Sequence, residues 1–393
     1  MNIPPVTHTA THTNATAPEK AARSKYSCVA CGGEAVWNPA KQKLICAFCG
    51  TESPMPVATN AMPGIQSSDV VEHDLAAALR NMQGEQRGWA RSKRMIKCTS
   101  CQAISVFDET KQAKSCEFCG ASAIVEYDET DDVIRPEGVL PFQISESQAR
   151  DLIRGWYGKL WWAPSKLKSK AMTDTVKGVY LPYWTFDALV DAQWEAQAGY
   201  YYYETETYYD NGEQKSRQVQ RTRWEYASGN VNHFFDDTLV CGSKGAHPAL
   251  LRAIEPFPTT DSGGKALKPY DAAYVSGWTV ERYQIDLIGA AKASRERMTG
   301  ETQQLCSQQV PGDTQRGLQV NANFSRQTFK HILAPVWLMS YTYGAKDFQV
   351  IINAVTGKLD GEYPKSWIKI TLAVMALLII VMIVLAGMGG SKR

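Results

Sequence analysis

Eight of the ten cysteines fall into four Cys-x-x-Cys pairs, and the pairs come in twos. Cys28 and Cys31 are followed after fourteen residues by Cys46 and Cys49, and Cys98 and Cys101 are followed after fourteen residues by Cys116 and Cys119. The second unit repeats the first at a spacing of seventy residues, and the inserts match as well: Val36 with Val106, Trp37 with Phe107, Lys41 with Lys111, Gln42 with Gln112. A Cys-x-x-Cys knuckle turns tightly enough to aim two thiolates at one ion. Fourteen residues then suffice for a hairpin that brings a second knuckle opposite, and four sulfurs at about 2.3 Å close a tetrahedron around zinc. The spacing therefore predicts two zinc ribbons, over 26–51 and 96–122, each holding one ion. With four protein thiolates per ion no position is left for water or substrate, so the sites are expected to be structural. A unit of about 25 residues buries too little surface to fold by itself, and zinc binding, on the order of 10–16 kcal/mol in finger peptides, makes up the deficit. Gly50 and Gly120 follow the second knuckles, where a positive φ is often required. Phe48 and Phe118 are positioned to cover the small cores. A redox dithiol would need a βαβ context that is absent; iron–sulfur ligation and disulfide pairing remain the other readings of the cysteines.

The compartment follows from the same residues. Met1 to Lys25 is rich in Thr, Ala, Asn and Pro and has no apolar run, so 1–25 reads as a disordered arm rather than an export signal. Cysteines kept in a reducing compartment more often hold metal than form disulfides. At the other end, Ile370 to Met388 is nineteen residues without a charge, about 28 Å as a helix. The expectation is a transmembrane helix over 368–388 with a short tail at 389–393. Tyr363, Trp367, Lys365 and Lys369 lie at its near edge, where interfacial aromatics and cations collect. That arrangement implies a tail-anchored, single-pass protein of the cell (inner) membrane with its N-terminal bulk in the cytoplasm.

Between these landmarks the chain reads as an α+β fold with antiparallel strands. A linker with a short helix around Val70 to Met82 spans 52–95, an acidic linker spans 123–138, and the α+β domain spans 139–363. Ser145 to Gln148 is a capping box that opens a helix bearing Leu152, Ile153 and Trp156 on one face. Lys166, Lys168 and Lys170 decorate a further short helix. Val179 to Val190 and Gln193 to Tyr209 read as strands, the latter dense in tyrosine. Asp210-Asn211-Gly212 signals a type I′ hairpin pairing back through Gln214 to Tyr226. Thr279 to Met298 reads as a helix, and Val336 to Tyr343 with Phe348 to Val355 as a closing hairpin. Pro182-Tyr183-Trp184 and Pro335-Val336-Trp337 echo one another. No phosphate-binding glycine loop, nucleophile elbow or His-Glu-x-x-His motif is present. Nothing in the spacing of Cys241 and Cys306 pairs them with His233, His247 or His331 as nucleophile and base. The chain is accordingly read as not an enzyme.

The order of parts resembles a bacterial family of TFIIB-type zinc-ribbon membrane proteins. The stretches LPFQIS, WYGKLWWAPSKLK, VKGVYLPYWTFDA and HILAPVWLMSYTYGAKDFQVIINAVTGKLDGEYPKSWIKI carry the resemblance between Tyr26 and Met388. Members are often labelled primosomal protein N′ or superfamily II helicase, but the helicase motifs are missing here. The resemblance implies a membrane anchor that recruits cytosolic partners, SPFH-domain or phage-shock protein A-like proteins among them, in envelope stress. Its transferable site residues are the eight ribbon cysteines.

Three functions are compatible with these features. The favoured one is a membrane-tethered scaffold whose ribbons dock proteins. The second is a nucleic-acid-binding ribbon protein; a net charge of +2 and the balance of Lys111 and Lys114 against Asp108, Glu109 and Glu117 argue against it, while Arg87, Arg91, Lys93 and Arg94 form a small basic run. The third is a ligand-binding or enzymatic α+β domain.

Overall fold

A computed structural model describes residues 26–28, 30–38, 41, 43–53, 70–80, 93–108, 115–126, 134–164, 176–259, 267–275, 278–344 and 346–389. The arm at 1–25, the prolines at 54, 56 and 63, Arg87 and Arg91, the acidic run past Glu126, the inserts at 109–114 and the lysines at 166–170 lie outside the described residues.

In chain order the elements are β1 (Tyr26–Ser27), β2 (Glu34–Asn38), β3 (Lys43–Cys46), β4 (Glu52–Ser53), β5 (His73–Asp74), α1 (Leu75–Arg80), β6 (Lys93–Cys98), β7 (Ile104–Asp108), β8 (Ile124–Glu126), β9 (Gly138–Val139), α2 (Glu146–Lys159), β10 (Lys177–Asp210), β11 (Glu213–Cys241), α3 (Pro248–Ile254), β12 (Lys268–Pro269), α4 (Ala272–Val275), β13 (Thr279–Arg282), α5 (Leu287–Gln309), β14 (Thr314–Tyr343), β15 (Lys346–Asn353), β16 (Leu359–Gly361) and α6 (Trp367–Gly389).

The expected α+β class is corrected. The described residues form mostly one large mixed β-sheet, with 47% of them in strands against 24% in helices. Twelve strands join in that sheet, along the path β12-β9-β14-β10-β13-β7-β6-β8, with β11, β15, β16 and β5 branching from it. Two pairings are parallel, β10 with β13 and β14 with β9. The architecture rests on two very long strands, β10 and β14, which pair antiparallel from Lys177↔Leu338 to Gly199↔Thr314. Each changes its outer partner midway. On its free edge β10 pairs first with β13, through Tyr180↔Val280, and then with β11 from Tyr183↔Cys241 onward. Likewise β14 pairs with β9 through Leu333↔Val139 and then with β15 from Val336↔Asn353. Pro182 and Pro335 occupy these two handover points. A residue without an N–H is tolerated where no ladder bond is required of it, which gives the Pro-aromatic echo a physical meaning: the two segments lie side by side, with Tyr180↔Pro335 and Pro182↔Leu333 in register.

Burial follows the partners. From Val179 to Ala188 β10 is buried on both faces; from Asp191 to Ala198 it alternates, with Ala192, Trp194, Ala196 and Ala198 inward. Helix α5 covers that inward face with Leu287, Ala290, Met298 and Cys306, a helical stripe of three- and four-residue steps. The helix expected over 279–298 is thereby shifted. Thr279–Arg282 is strand β13, held between β10 and β7, and the helix starts only after its N-cap Asp286, which accepts the Gly289 N–H at 2.9 Å. The capping box of α2 forms as expected, and Ile153 and Tyr157 face the core. The tight turn at the tip of β10 and β11 is also as expected: Asp210 pairs with Glu213, and Asn211 and Gly212 take φ of 52° and 85°, the signs a type I′ turn demands. Beyond Gly199 no further strand lies alongside this hairpin among the described residues, and Tyr201, Tyr202, Tyr203, Tyr208 and Tyr209 are exposed.

The transmembrane span expected at 368–388 is corrected as well. Among the described residues no helix is long and apolar enough to cross a membrane. A helix does form there, α6, with side chains described as far as Met382. Those side chains, from Leu372 through Met382, are exposed rather than packed on the sheet.

Candidate metal centres

The four knuckles share one backbone design. In each, the N–H four residues after the first cysteine donates to that cysteine's carbonyl: Gly32 to Cys28 at 2.8 Å, and Gly50 to Cys46, Gln102 to Cys98 and Gly120 to Cys116 at 3.0 Å. The first cysteine's own N–H donates one residue further on, to Gly33, Thr51, Ala103 and Ala121. The residue closing each turn has a positive φ: 72° at Gly32, 71° at Gly50, 76° at Gly120, and 65° at Gln102. Gly50 and Gly120 were expected in this role. Gln102 carries it without being glycine, its side chain donating to the Thr99 carbonyl at 2.9 Å.

These turns bring all eight sequence-predicted cysteines into two quartets, with the four Sγ atoms of each within 4.8 Å of one another. Cys28 and Cys49, Cys31 and Cys46, Cys98 and Cys119, and Cys101 and Cys116 are each 3.6 Å apart. A tetrahedron with metal–sulfur bonds of about 2.3 Å has edges of about 3.8 Å, so the quartets fit a zinc-sized ion. They are far too open for disulfides, whose S–S length is about 2.05 Å, and all ten cysteines are free thiols. Backbone N–H groups of Ala30, Gly33 and Phe118 point at Cys28, Cys31 and Cys116 at 3.4 Å, the donors that stabilise thiolate. Within each quartet the thiols do not ionise alike. The Cys101 thiol lowers the Cys116 thiol, whereas burial raises that of Cys119. The Thr51 hydroxyl, 3.0 Å away, holds Cys49 down to about 6. Two clusters of four cysteines able to bind metal ions such as zinc are thus present.

The two centres differ in their surroundings. The first sits in a separate four-stranded sheet, β1-β2-β3-β4, with a core of its own made of Cys28, Ala35, Leu44 and Cys46. The second is built into the main sheet. β7 pairs with β13 through Val106↔Val280 and Ile104↔Arg282, and Cys98, Ala103, Cys116 and Phe118 belong to a core shared with Leu140, Leu181 and Leu338. Phe118 is wholly buried, and its carbonyl accepts from the Ser340 hydroxyl and from Gln349 Nε2 at 3.2 Å. Glu117 beside it pairs with Lys177 at 2.8 Å. Phe48, at the same place in the first ribbon, is 77% exposed, so the expectation that both rings cover a core holds for one only. Lys41 and Lys43 both turn to Glu52, at 3.0 and 2.9 Å, which offsets one of the two positive charges on that ribbon.

The remaining sequence candidates are not brought together. Cys306 lies in the buried stripe of α5, and Cys241 is half-buried against the Pro182 carbonyl with its thiol pushed up by desolvation. His331 Nδ1 meets the Ile134 carbonyl, His247 faces Glu362 and His233 lies against Phe235. A feature that sequence reading missed is the buried group of Asp187, Asp237 and Lys330. Asp187 accepts from the Asp237 N–H and the Thr328 hydroxyl, each at 2.7 Å, and Lys330 bridges Asp237 and Glu72 at 2.9 and 3.0 Å. It sits at a bulge of β10, and aspartates on two strands fifty residues apart in the chain do not announce such a cluster.

The geometry defines a β-sheet protein carrying two four-cysteine clusters able to bind metal ions, one built into its sheet and one in a separate small sheet. Comparison adds little to that description. No family model matches the chain. It is 23% identical over 234 residues to the uncharacterized protein YdjG of Bacillus subtilis strain 168, a match covering 59% of this chain and 65% of that protein. No solved structure matches.

Proposed function

We propose that the chain is a zinc-ribbon adaptor of the cell membrane, its bulk in the cytoplasm, which recruits protein partners through its first ribbon and catalyses no reaction. Two zinc ions, one per quartet, hold the ribbons together and are structural. The observation that carries this reading is the contrast between two equivalent phenylalanines. Phe118 is buried in the body of its own chain, whereas Phe48 stands 77% exposed on the knuckle of a ribbon with its own small core. Ala30 and Ala47 beside it are exposed and uncharged, a surface suited to an apolar protein contact rather than to phosphate. The pairing of Lys41 and Lys43 with Glu52 weighs against nucleic acid. Cytosolic proteins of the SPFH-domain or phage-shock protein A-like kind are the partners to test first. The experiment is to purify the full chain with C46S and C116S variants and to measure zinc and bound proteins together. Two zinc per chain, with a partner lost in C46S, is the expected result. Two zinc with nucleic acid in place of protein overturns the docking role; fewer than two overturns the metal assignment.

A further inference from the structure

The foot of α6 is tied to the sheet body through the loop that follows α2. After α2 ends at Lys159, the chain runs through Leu160, Trp161, Trp162 and Ala163. Lys369, in the first turn of α6, donates its ammonium to the Trp161 and Ala163 carbonyls at 2.9 and 2.8 Å, and the Ser366 N–H donates to the Trp162 carbonyl at 2.7 Å. Trp156 of α2 packs edge-on against Tyr363 with ring centroids 5.9 Å apart. The loop, the lead-in to α6 and its first turn are thus one joined unit. Lys369 is occupied in holding that unit together, not in facing outward.

What this unit presents is unusual for a body with so large a buried core. Trp161 is 75% exposed and Trp367 81% exposed, with Trp162 also exposed. Around them stand the exposed Lys159 and Lys365, and from them rises the uncovered apolar surface of α6. Indole has an apolar ring and one N–H donor, so it settles where one side is apolar and the other wet. Lysine beside it supplies the charge that anionic headgroups attract. We infer that Trp161, Trp162 and Trp367, flanked by Lys159 and Lys365, form an aromatic collar that beds in the headgroup region of an anionic lipid surface and sets the body against it. This rests on the membrane placement proposed above.

The test uses the full chain with vesicles of phosphatidylcholine mixed with phosphatidylglycerol, in which a phospholipid brominated high on its acyl chains quenches nearby indoles. A W161F/W162F double variant is compared with W224F, whose indole lies far out on the β10–β11 hairpin; far-UV circular dichroism checks that each variant is folded. The expected result is vesicle binding by all three proteins, with quenching clearly reduced in W161F/W162F and not in W224F. A K159Q/K365Q variant should bind the anionic vesicles several-fold more weakly and pure phosphatidylcholine vesicles as before. Binding with quenching unchanged in W161F/W162F overturns the collar and leaves the membrane placement standing. Absence of vesicle binding by the wild-type chain overturns both.

Discussion

Truncating two phenylalanines that occupy the same position in two copies of one motif should have very different consequences. Phe118 is wholly buried, in a core shared with the main sheet. A phenylalanine ring removes on the order of 150–200 Å² from water, which at about 25 cal/mol per Å² is about 4–5 kcal/mol. Phe118→Ala should therefore cost about 3–5 kcal/mol, the usual range for a buried ring replaced by a methyl. Phe48 is 77% exposed and buries only about a quarter of its surface, so Phe48→Ala should cost less than about 1 kcal/mol. The assay is equilibrium urea unfolding of the zinc-loaded chain, following tryptophan fluorescence for the body and dye-detected zinc release for the ribbons. Phe118→Ala should move the fluorescence transition to much lower urea, while Phe48→Ala leaves both transitions nearly in place. Equal shifts for the two variants, or a cost below about 1 kcal/mol for Phe118→Ala, would refute the argument that the second ribbon is part of the body and the first is not.

Three further outcomes follow from the same geometry. Cys116→Ser should lose one metal ion and lower the stability of the whole sheet, whereas Cys46→Ser should lose one ion and leave the body's unfolding transition unchanged; metal analysis alongside urea unfolding separates the two. Gln102 holds a left-handed φ of 65° where the other three knuckles have glycine, so Gln102→Gly should stabilise by about 1 kcal/mol, read as a higher urea midpoint. Burial lowers His331 from 6.5 to about 4. The folded state then binds fewer protons than the unfolded between those values, so stability is full above about pH 6.5 and declines as pH falls toward 4, by roughly 3 kcal/mol in all. His331→Gln should remove that part of the dependence, visible as a flatter urea-midpoint profile against pH than the wild type shows.

The parts of this protein legible in its sequence are those whose cause is local. Cys-x-x-Cys closes its own turn within five residues, so both quartets, their spacing and the positive φ at Gly50 and Gly120 could be read directly. The same holds for the Asn211–Gly212 hairpin and the Ser145 capping box, where neighbouring side chains and backbone satisfy one another. The class of the fold was not legible in this way. Thr279–Arg282 leads directly into the helical stripe that begins at Tyr283, yet it becomes a strand because β10 and β7 offer ladder partners from far away in the chain. Pro182 and Pro335 look like strand breakers, yet they sit inside two strands about thirty residues long, at the points where each strand exchanges neighbours. Two ribbons with the same cysteine spacing also have different fates, for β13 pairs with β7 and Phe118 is drawn into the core while Phe48 stays exposed. Metal ligation is decided by residues within one short unit and is therefore written in the sequence. Strand pairing and burial depend on which distant surfaces meet, and only the tertiary structure decides that.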